Sequence, residues 1–209
     1  MKYLLAILLG YLLGCSSMAY YIGKMKKKDI RTAGSGNLGA SNATVLFGWG
    51  AGVAVALHDI GKAVVAVFLA KWLFPELEYA GAAAGVACVL GHIFPFYLGF
   101  RGGKGLASYF GMTLALNWKL ALIVAAVIVL ATLITDFISV GALSSIVVVP
   151  TYMFFATRNL ILVAILCVAT LVMFIKHWEN IIRISRGEEI GLRRTAKGAD
   201  RIDKGRGSP

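Results

Sequence analysis

The sequence predicts an all-α polytopic membrane helix bundle of about seven transmembrane helices, with the N-terminus outside and the C-terminus cytoplasmic, and three observations carry that prediction. Of the 209 residues, 59% are apolar and only 15% charged, against about 25% charged in a soluble domain, and mean hydropathy is +0.79. Apolar runs near the ~20 residues that a spanning helix needs alternate with short charged connections. Lys and Arg crowd into the connections after the first, third and seventh apolar runs, the asymmetry that retains basic loops in the cytoplasm. The same composition excludes a disordered chain, a collagen-like repeat and a disulfide scaffold. Cys15, Cys88 and Cys167 all lie in apolar runs, without an even framework or a metal-ligand spacing.

Taken in order, the first run, Tyr3 to Gly23, follows a single Lys2 and continues through Tyr20 and Tyr21. It lacks the small-residue cleavage site of a signal peptide, so it reads as a retained first span. Leu12 to Cys15 vaguely resembles a lipoprotein cleavage site, but six further spans argue against such processing. The second span runs from about Gly52 to Leu73 and the third from about Tyr79 to Leu98. Leu106 to Leu116 is well below spanning length and reads as a fourth helix that is re-entrant or tilted. Leu120 to Ile134, Ile138 to Ala156 and Leu160 to Lys176 complete the seven. Residues 1–193 form one integral membrane unit, and residues 194–209, charged and Gly-rich without apolar periodicity, are expected to be a disordered basic cytoplasmic tail.

Orientation follows from where the positive residues fall. Lys24, Lys26, Lys27, Lys28 and Arg31 follow the first span, Arg101 and Lys104 the third, and nine more lie from Lys176 to Arg206, so these connections hold sixteen of the twenty-one Lys and Arg. Lys2, Lys71, Lys119 and Arg158 fall on the other side and Lys62 lies within a span. The net charge of +11 is therefore topology and attraction to anionic headgroups, and no nucleic-acid partner is expected.

Three polar segments interrupt the apolar pattern. In Ala33 to Asn42, Gly34, Gly36 and Gly39 leave the backbone open while Ser35, Asn37, Ser41 and Asn42 add short donors, a composition that suits either anion binding or a capping turn before a short helix. In Gly91-His-Ile-Phe-Pro95 and Phe100-Arg-Gly-Gly-Lys-Gly105, the glycines Gly102, Gly103 and Gly105 surround Lys104 at a helix start. These are the parts of a phosphate cradle, although the nucleotide P-loop pattern is absent, because it requires Ser or Thr directly after the Lys and a preceding strand, and Leu106 follows too late and is apolar; a glycine turn in a basic loop is the equal alternative. In His177 to Glu189, continuation of the seventh helix would put His177, Asn180 and Arg183 on one face. The topology places all three segments on the cytoplasmic side, where a ligand with a phosphate head and an acyl tail would lie. Asp59 and Lys62 share a helical face inside a span, as a mutual ion pair or a substrate contact. His58 points to another face as an interior histidine, and Asp136 is placed to contact the basic loops, with no chemistry assigned.

Together, Gly34-Ser-Gly-Asn-Leu-Gly-Ala-Ser-Asn42, Gly91-His-Ile-Phe-Pro95 with Gly102-Gly-Lys-Gly105, and His177 with Asn180, Arg183, Gly187 and Glu189 resemble the three signature motifs of the bacterial acyl-phosphate:glycerol-3-phosphate acyltransferases, the PlsY family. Asp59 and Lys62 resemble its second helix, and the likeness covers nearly the whole chain. The resemblance implies acyl transfer from acyl phosphate to the 1-hydroxyl of sn-glycerol 3-phosphate, giving lysophosphatidic acid and phosphate at the start of phospholipid synthesis. It implies a multi-pass protein of the bacterial inner membrane with its active site at the cytoplasmic face, with no cofactor and no metal. By this resemblance Ser35, Gly36, Asn37, Gly102, Gly103, Lys104 and Gly105 hold the acyl-phosphate phosphoryl group, His177 and Asn180 seat glycerol phosphate, and Asn42 and Glu189 support the site. Ser35, Lys104, His177 and Asn180 are the expected catalytic residues, with Arg183 among the substrate-binding ones.

Two positions depart from the family pattern: Val45 stands where Arg is usual and Ala142 where Ser is usual. Either Lys62, Arg101 or Arg183 compensates, or the acceptor is another phosphorylated alcohol. A non-catalytic anion-binding or transport protein is the alternative from another class. It would want a polar path across the bilayer or inverted repeats, which the sequence lacks. Neither a nucleophile elbow nor a His-x-x-x-x-Asp pair is present.

Overall fold

The computed structural model describes residues 1–197, and every regular element among them is helical. The first apolar run forms two helices, α1 (Lys2–Cys15) and α2 (Met18–Met25), where one continuous helix was expected. Ser17 breaks it: its backbone is extended and its side chain accepts from the Tyr20 N–H, capping α2. A short 3₁₀ turn, Ile30–Thr32, is N-capped by Asp29. It leads to α3 (Ala40–Phe47), the short helix that the capping-turn reading of the first polar segment requires.

Helices α4 (Trp49–Leu73), α7 (Trp118–Thr135) and α8 (Ile138–Thr157) follow the predicted spans closely, whereas α5 (Ala80–Ile93) stops short of Leu98 and α9 (Leu160–Ser185) continues beyond Lys176. Among the described residues, six segments are long and apolar enough to cross a membrane, counting α1 with α2 and α5 with the 3₁₀ turn Phe96–Leu98. The remaining helix, α6 (Leu106–Leu116), has 11 residues, about 16 Å at 1.5 Å per residue and about half the hydrocarbon core. It is short because the preceding loop folds back on α5: the Gly102 and Gly103 amides donate to the carbonyls of Ile93 and His92. From that point α6 reaches the far end of α4, where Lys71 Nζ donates to the Ala115 carbonyl. Of the tail expected to be disordered, residues 194–197 instead lie in a helical turn, and residues beyond 197 lie outside the described ones.

Inter-helix packing depends on small residues. A Cβ added to Gly10 or Gly14 of α1 would overlap the backbone of Ala84 or Cys88 of α5, and one on Gly111 would overlap Ile60. Such close approach is how membrane helices gain dispersion contacts where lipid removes the hydrophobic drive. The buried centre comprises Ala63, Val67, Val89, Tyr109, Met112, Val124, Ile146, Leu166 and Met173, while Leu57, Phe68, Leu122, Leu133, Val147 and Leu171 face outward as apolar lipid contacts. At one end, Lys2 pairs with Glu76, and Asn159 donates to Glu78 and to the Tyr79 hydroxyl. The three polar segments gather at the opposite end, around one cavity.

Candidate active site

That cavity, of about 430 Å³, is walled by Ser35, Asn37, Asn42, Lys104, Gly105, His177, Asn180, Arg183 and Glu189, which unites all three polar segments. The first turns of α3, α6 and α8 also line it, through Gly39 and Ala40, Gly105 to Ala107, and Ile138 and Ser139, and no side chain caps any of the three. The leading N–H groups of a helix have no intrahelical acceptor and carry about half a positive charge. Three such ends around one space make it strongly favourable for an anion.

Each segment is shaped locally. Asn42, 3% exposed, braces the first loop: its Oδ1 accepts from the Ser35 N–H at 3.0 Å, and its Nδ2 faces the carbonyls of Ile30, Ala33 and Asn37 at 3.1 Å each. Gly34 is required there, because its φ is +61° and a Cβ would collide with Asn42 Oδ1. Asn42 therefore braces the loop from within, while Ser35 and Asn37 line the cavity.

The second segment departs from expectation. Gly102 and Gly103 do not form part of the cavity wall. Their amides donate to Ile93 and His92 at 3.0 and 3.1 Å, so they serve as a brace for the loop and are not free to cradle a phosphoryl group. Lys104 and the first turn of α6, with Gly105 at φ +96° as its N-cap, line the cavity in their place. Gly36 likewise turns the Ser35 loop with φ +68° but is not part of the wall.

The third segment is one continuous face of α9, as the spacing predicted. His177 Nδ1 lies 2.8 Å from the Met173 carbonyl. Since a carbonyl only accepts, Nδ1 carries the hydrogen and Nε2 is left for a ligand. Lys104 Nζ donates to Asn180 Oδ1, and Asn180 Nδ2 donates to Glu189 Oε1. Arg183 Nε donates to Glu189 Oε2 at 2.7 Å, and Ser139 donates to Oε1 at 3.3 Å. Glu189 thus fastens the segment after α9 to both α8 and α9. Asp136 adds a second fastening, its carbonyl accepting from Leu192 N–H and its carboxylate from Arg193 N–H. Burial first, and then the Arg183 charge, push Lys104 down to about 8, with Glu189 opposing them.

Asp59, which the sequence offered with Lys62 as an ion pair or a substrate contact, forms part of the wall. Sequence reasoning missed two contributors: nothing in the sequence ties His92 to Asp59, and Ser139 gave no signal, yet both line the cavity. Val45 and Ala142, the two departures, both line the cavity and make part of it apolar with Ile60, Phe110 and Ile128. His58, expected as an interior histidine, has Nε2 3.0 Å from the Ser16 hydroxyl.

Comparison with known proteins agrees with this geometry. Residues 4–187 match the family model described as glycerol-3-phosphate acyltransferase. The glycerol-3-phosphate acyltransferase of Coxiella burnetii (strain CbuG_Q212) is 41% identical over 190 residues, covering 90% of this chain and 97% of that one. Glycerol-3-phosphate acyltransferase 1 of Oceanobacillus iheyensis is 38% identical over 201 residues, covering 92% and 96%. The crystal structure of PlsY, an integral membrane glycerol 3-phosphate acyltransferase, in its glycerol 3-phosphate form superposes with a TM-score of 0.86 at 30% identity, covering 92% of this chain and 96% of that one. Its lysophosphatidic acid form gives 0.83 at 29%, covering 91% and 95%. With a match along nearly its whole length and the three polar segments gathered on one anion-favouring cavity, this chain belongs to the glycerol-3-phosphate acyltransferase family.

Proposed function

We propose that the chain transfers a fatty acyl group from acyl phosphate to the 1-hydroxyl of sn-glycerol 3-phosphate, releasing lysophosphatidate and inorganic phosphate at the cytoplasmic face of a bacterial cell membrane. The observation that carries the reading is the convergence of three uncapped helix starts with Lys104, His177, Asn180 and Arg183 on one cavity. The Lys and Arg of the connections next to the three polar segments support a cytoplasmic orientation of that end, with the N-terminus outside.

The donor is already activated as a mixed anhydride, so the protein needs to supply position and charge stabilisation, not a covalent intermediate. The acceptor hydroxyl oxygen attacks the acyl carbon, the bond from that carbon to the phosphate oxygen breaks, and the departing phosphate accepts the hydroxyl proton. Lys104 and the first turn of α6 neutralise the charge leaving with phosphate, while His177 Nε2 and the Asn180 face seat the acceptor. The wall formed by Val45, Ile60, Phe110 and Ile128 suits the start of an acyl chain. Purified protein supplied with acyl phosphate and radiolabelled glycerol 3-phosphate should release lysophosphatidate and phosphate in equal amounts; binding of acyl phosphate without either product would reduce the function to anion binding.

Val45 and Ala142 in the wall favour a second reading, a different phosphorylated alcohol as acceptor. Of Lys62, Arg101 and Arg183, the candidates to compensate, Arg183 alone lines the cavity, and it is already held by Glu189. A large gain of glycerol 3-phosphate turnover in Val45→Arg would support that reading.

A further inference from the structure

Asp59 and His92 of the cavity wall join Lys62 behind it in an ionic cluster that the transfer chemistry leaves unused. Asp59 and Lys62 come from α4 and His92 from the last turn of α5, and they are 2%, 7% and 7% exposed. Lys62 Nζ lies 2.7 Å from Asp59 Oδ1 and 3.0 Å from His92 Nδ1, and His92 Nδ1 is itself 3.3 Å from Asp59 Oδ1. Lys62 also donates at 2.8 Å to the Ser16 carbonyl, which the break between α1 and α2 exposes. The cluster therefore ties three helical segments to one imidazole.

What that imidazole touches gives the cluster a role. A Cβ on Gly103 would overlap His92 Nε2, and the Gly103 amide donates to the His92 carbonyl. Ring and backbone of His92 together grip the residue immediately before Lys104. The tip of the lysine is held by Asn180, but the tip alone does not fix a side chain with four rotatable bonds; its backbone must be placed as well. Replacing a buried ion pair by apolar groups is often neutral for stability, so a three-residue cluster beside a site is better accounted for by placement than by stability.

We infer that Asp59, Lys62 and His92 are positioning residues for Lys104: the ion pair orients the His92 ring, and the ring and carbonyl of His92 set where the Lys104 ammonium meets a phosphoryl group. The inference rests on the reading that Lys104 holds such a group. A displacement of about 1 Å in such a contact can lower rates about 100-fold.

The test is a double-mutant cycle with inorganic phosphate as probe, its affinity measured by calorimetry on the full-length protein, alongside thermal melting. His92→Ala should weaken phosphate binding at least tenfold where Lys104 is present and produce no further loss in Lys104→Ala, because an effect carried through one residue vanishes with it. The charge-balanced pair Asp59→Asn with Lys62→Met should behave alike, and it carries the test if His92→Ala does not fold. Equal losses in both backgrounds, unchanged affinity in a folded His92→Ala, or collapse of both variants would make the cluster structural and overturn the inference. Failure of the wild type to bind phosphate would instead overturn the functional reading beneath it.

Discussion

Replacing Lys104 by Ala removes an ammonium of the cavity wall that donates to Asn180 and stands at the start of α6. A hydrogen bond to a charged group contributes about 1.5–3 kcal/mol, and a donor that meets charge developing in the transition state about 2.7–4 kcal/mol. The three helix starts and Arg183 remain in the variant and screen part of the loss. A cost of about 3 kcal/mol follows, roughly 150-fold in kcat/KM, with the larger share in kcat. Ionisation of the same group supplies an independent check. With Lys104 lowered to about 8 by burial and Arg183, the active protonated form prevails below that pH, and kcat/KM should fall about tenfold per unit above it. A bound phosphate dianion favours the ammonium, so the fall in kcat should come at higher pH than the fall in kcat/KM. Lys104→Arg, which keeps its charge throughout this range, should be slower but flat across pH 8. The assay is release of lysophosphatidate from acyl phosphate and labelled glycerol 3-phosphate in buffers from pH 6 to 10. An unchanged rate in Lys104→Ala, or an alkaline fall that survives Lys104→Arg, would refute the assignment.

Three further outcomes are expected. Asn42→Ala strips the Ser35 loop of its internal brace and should cost about 2–3 kcal/mol, seen as a lower melting temperature together with at least a tenfold loss of turnover. Gly14→Leu forces a side chain into the Cys88 backbone and should destabilise the α1–α5 contact by at least about 1–3 kcal/mol, measured by thermal aggregation in detergent, whereas the lipid-facing Leu8→Ala should change little. Glu189→Gln removes the carboxylate that opposes the lowering of Lys104, so the alkaline fall in kcat/KM should move below pH 8, and proteolysis after Arg186 should accelerate as the fastening to Asn180, Arg183 and Ser139 loosens.

The bundle itself was legible in the sequence because hydropathy is a sum over neighbours along the chain: lipid demands a long apolar run wherever a helix crosses, and charge is barred from it. The same locality made the third polar segment readable, since residues three apart on a helix share a face whatever surrounds them. His177, Asn180 and Arg183 all wall the cavity for that reason. Only the tertiary structure decided which amides stay free. Gly102 and Gly103 have the composition of an anion cradle, yet their hydrogen atoms point at α5 carbonyls about ten residues back, and no spacing rule distinguishes a glycine that binds a ligand from one that binds its own chain. The Ser16 carbonyl that the break of the first run offers to Lys62 and the union of His92 with Asp59 and Lys62 belong to the same class. Each depends on a polar group finding a partner on another helix, inside a medium where an unpaired one costs several kcal/mol. That partner is set by packing and not by position in the chain.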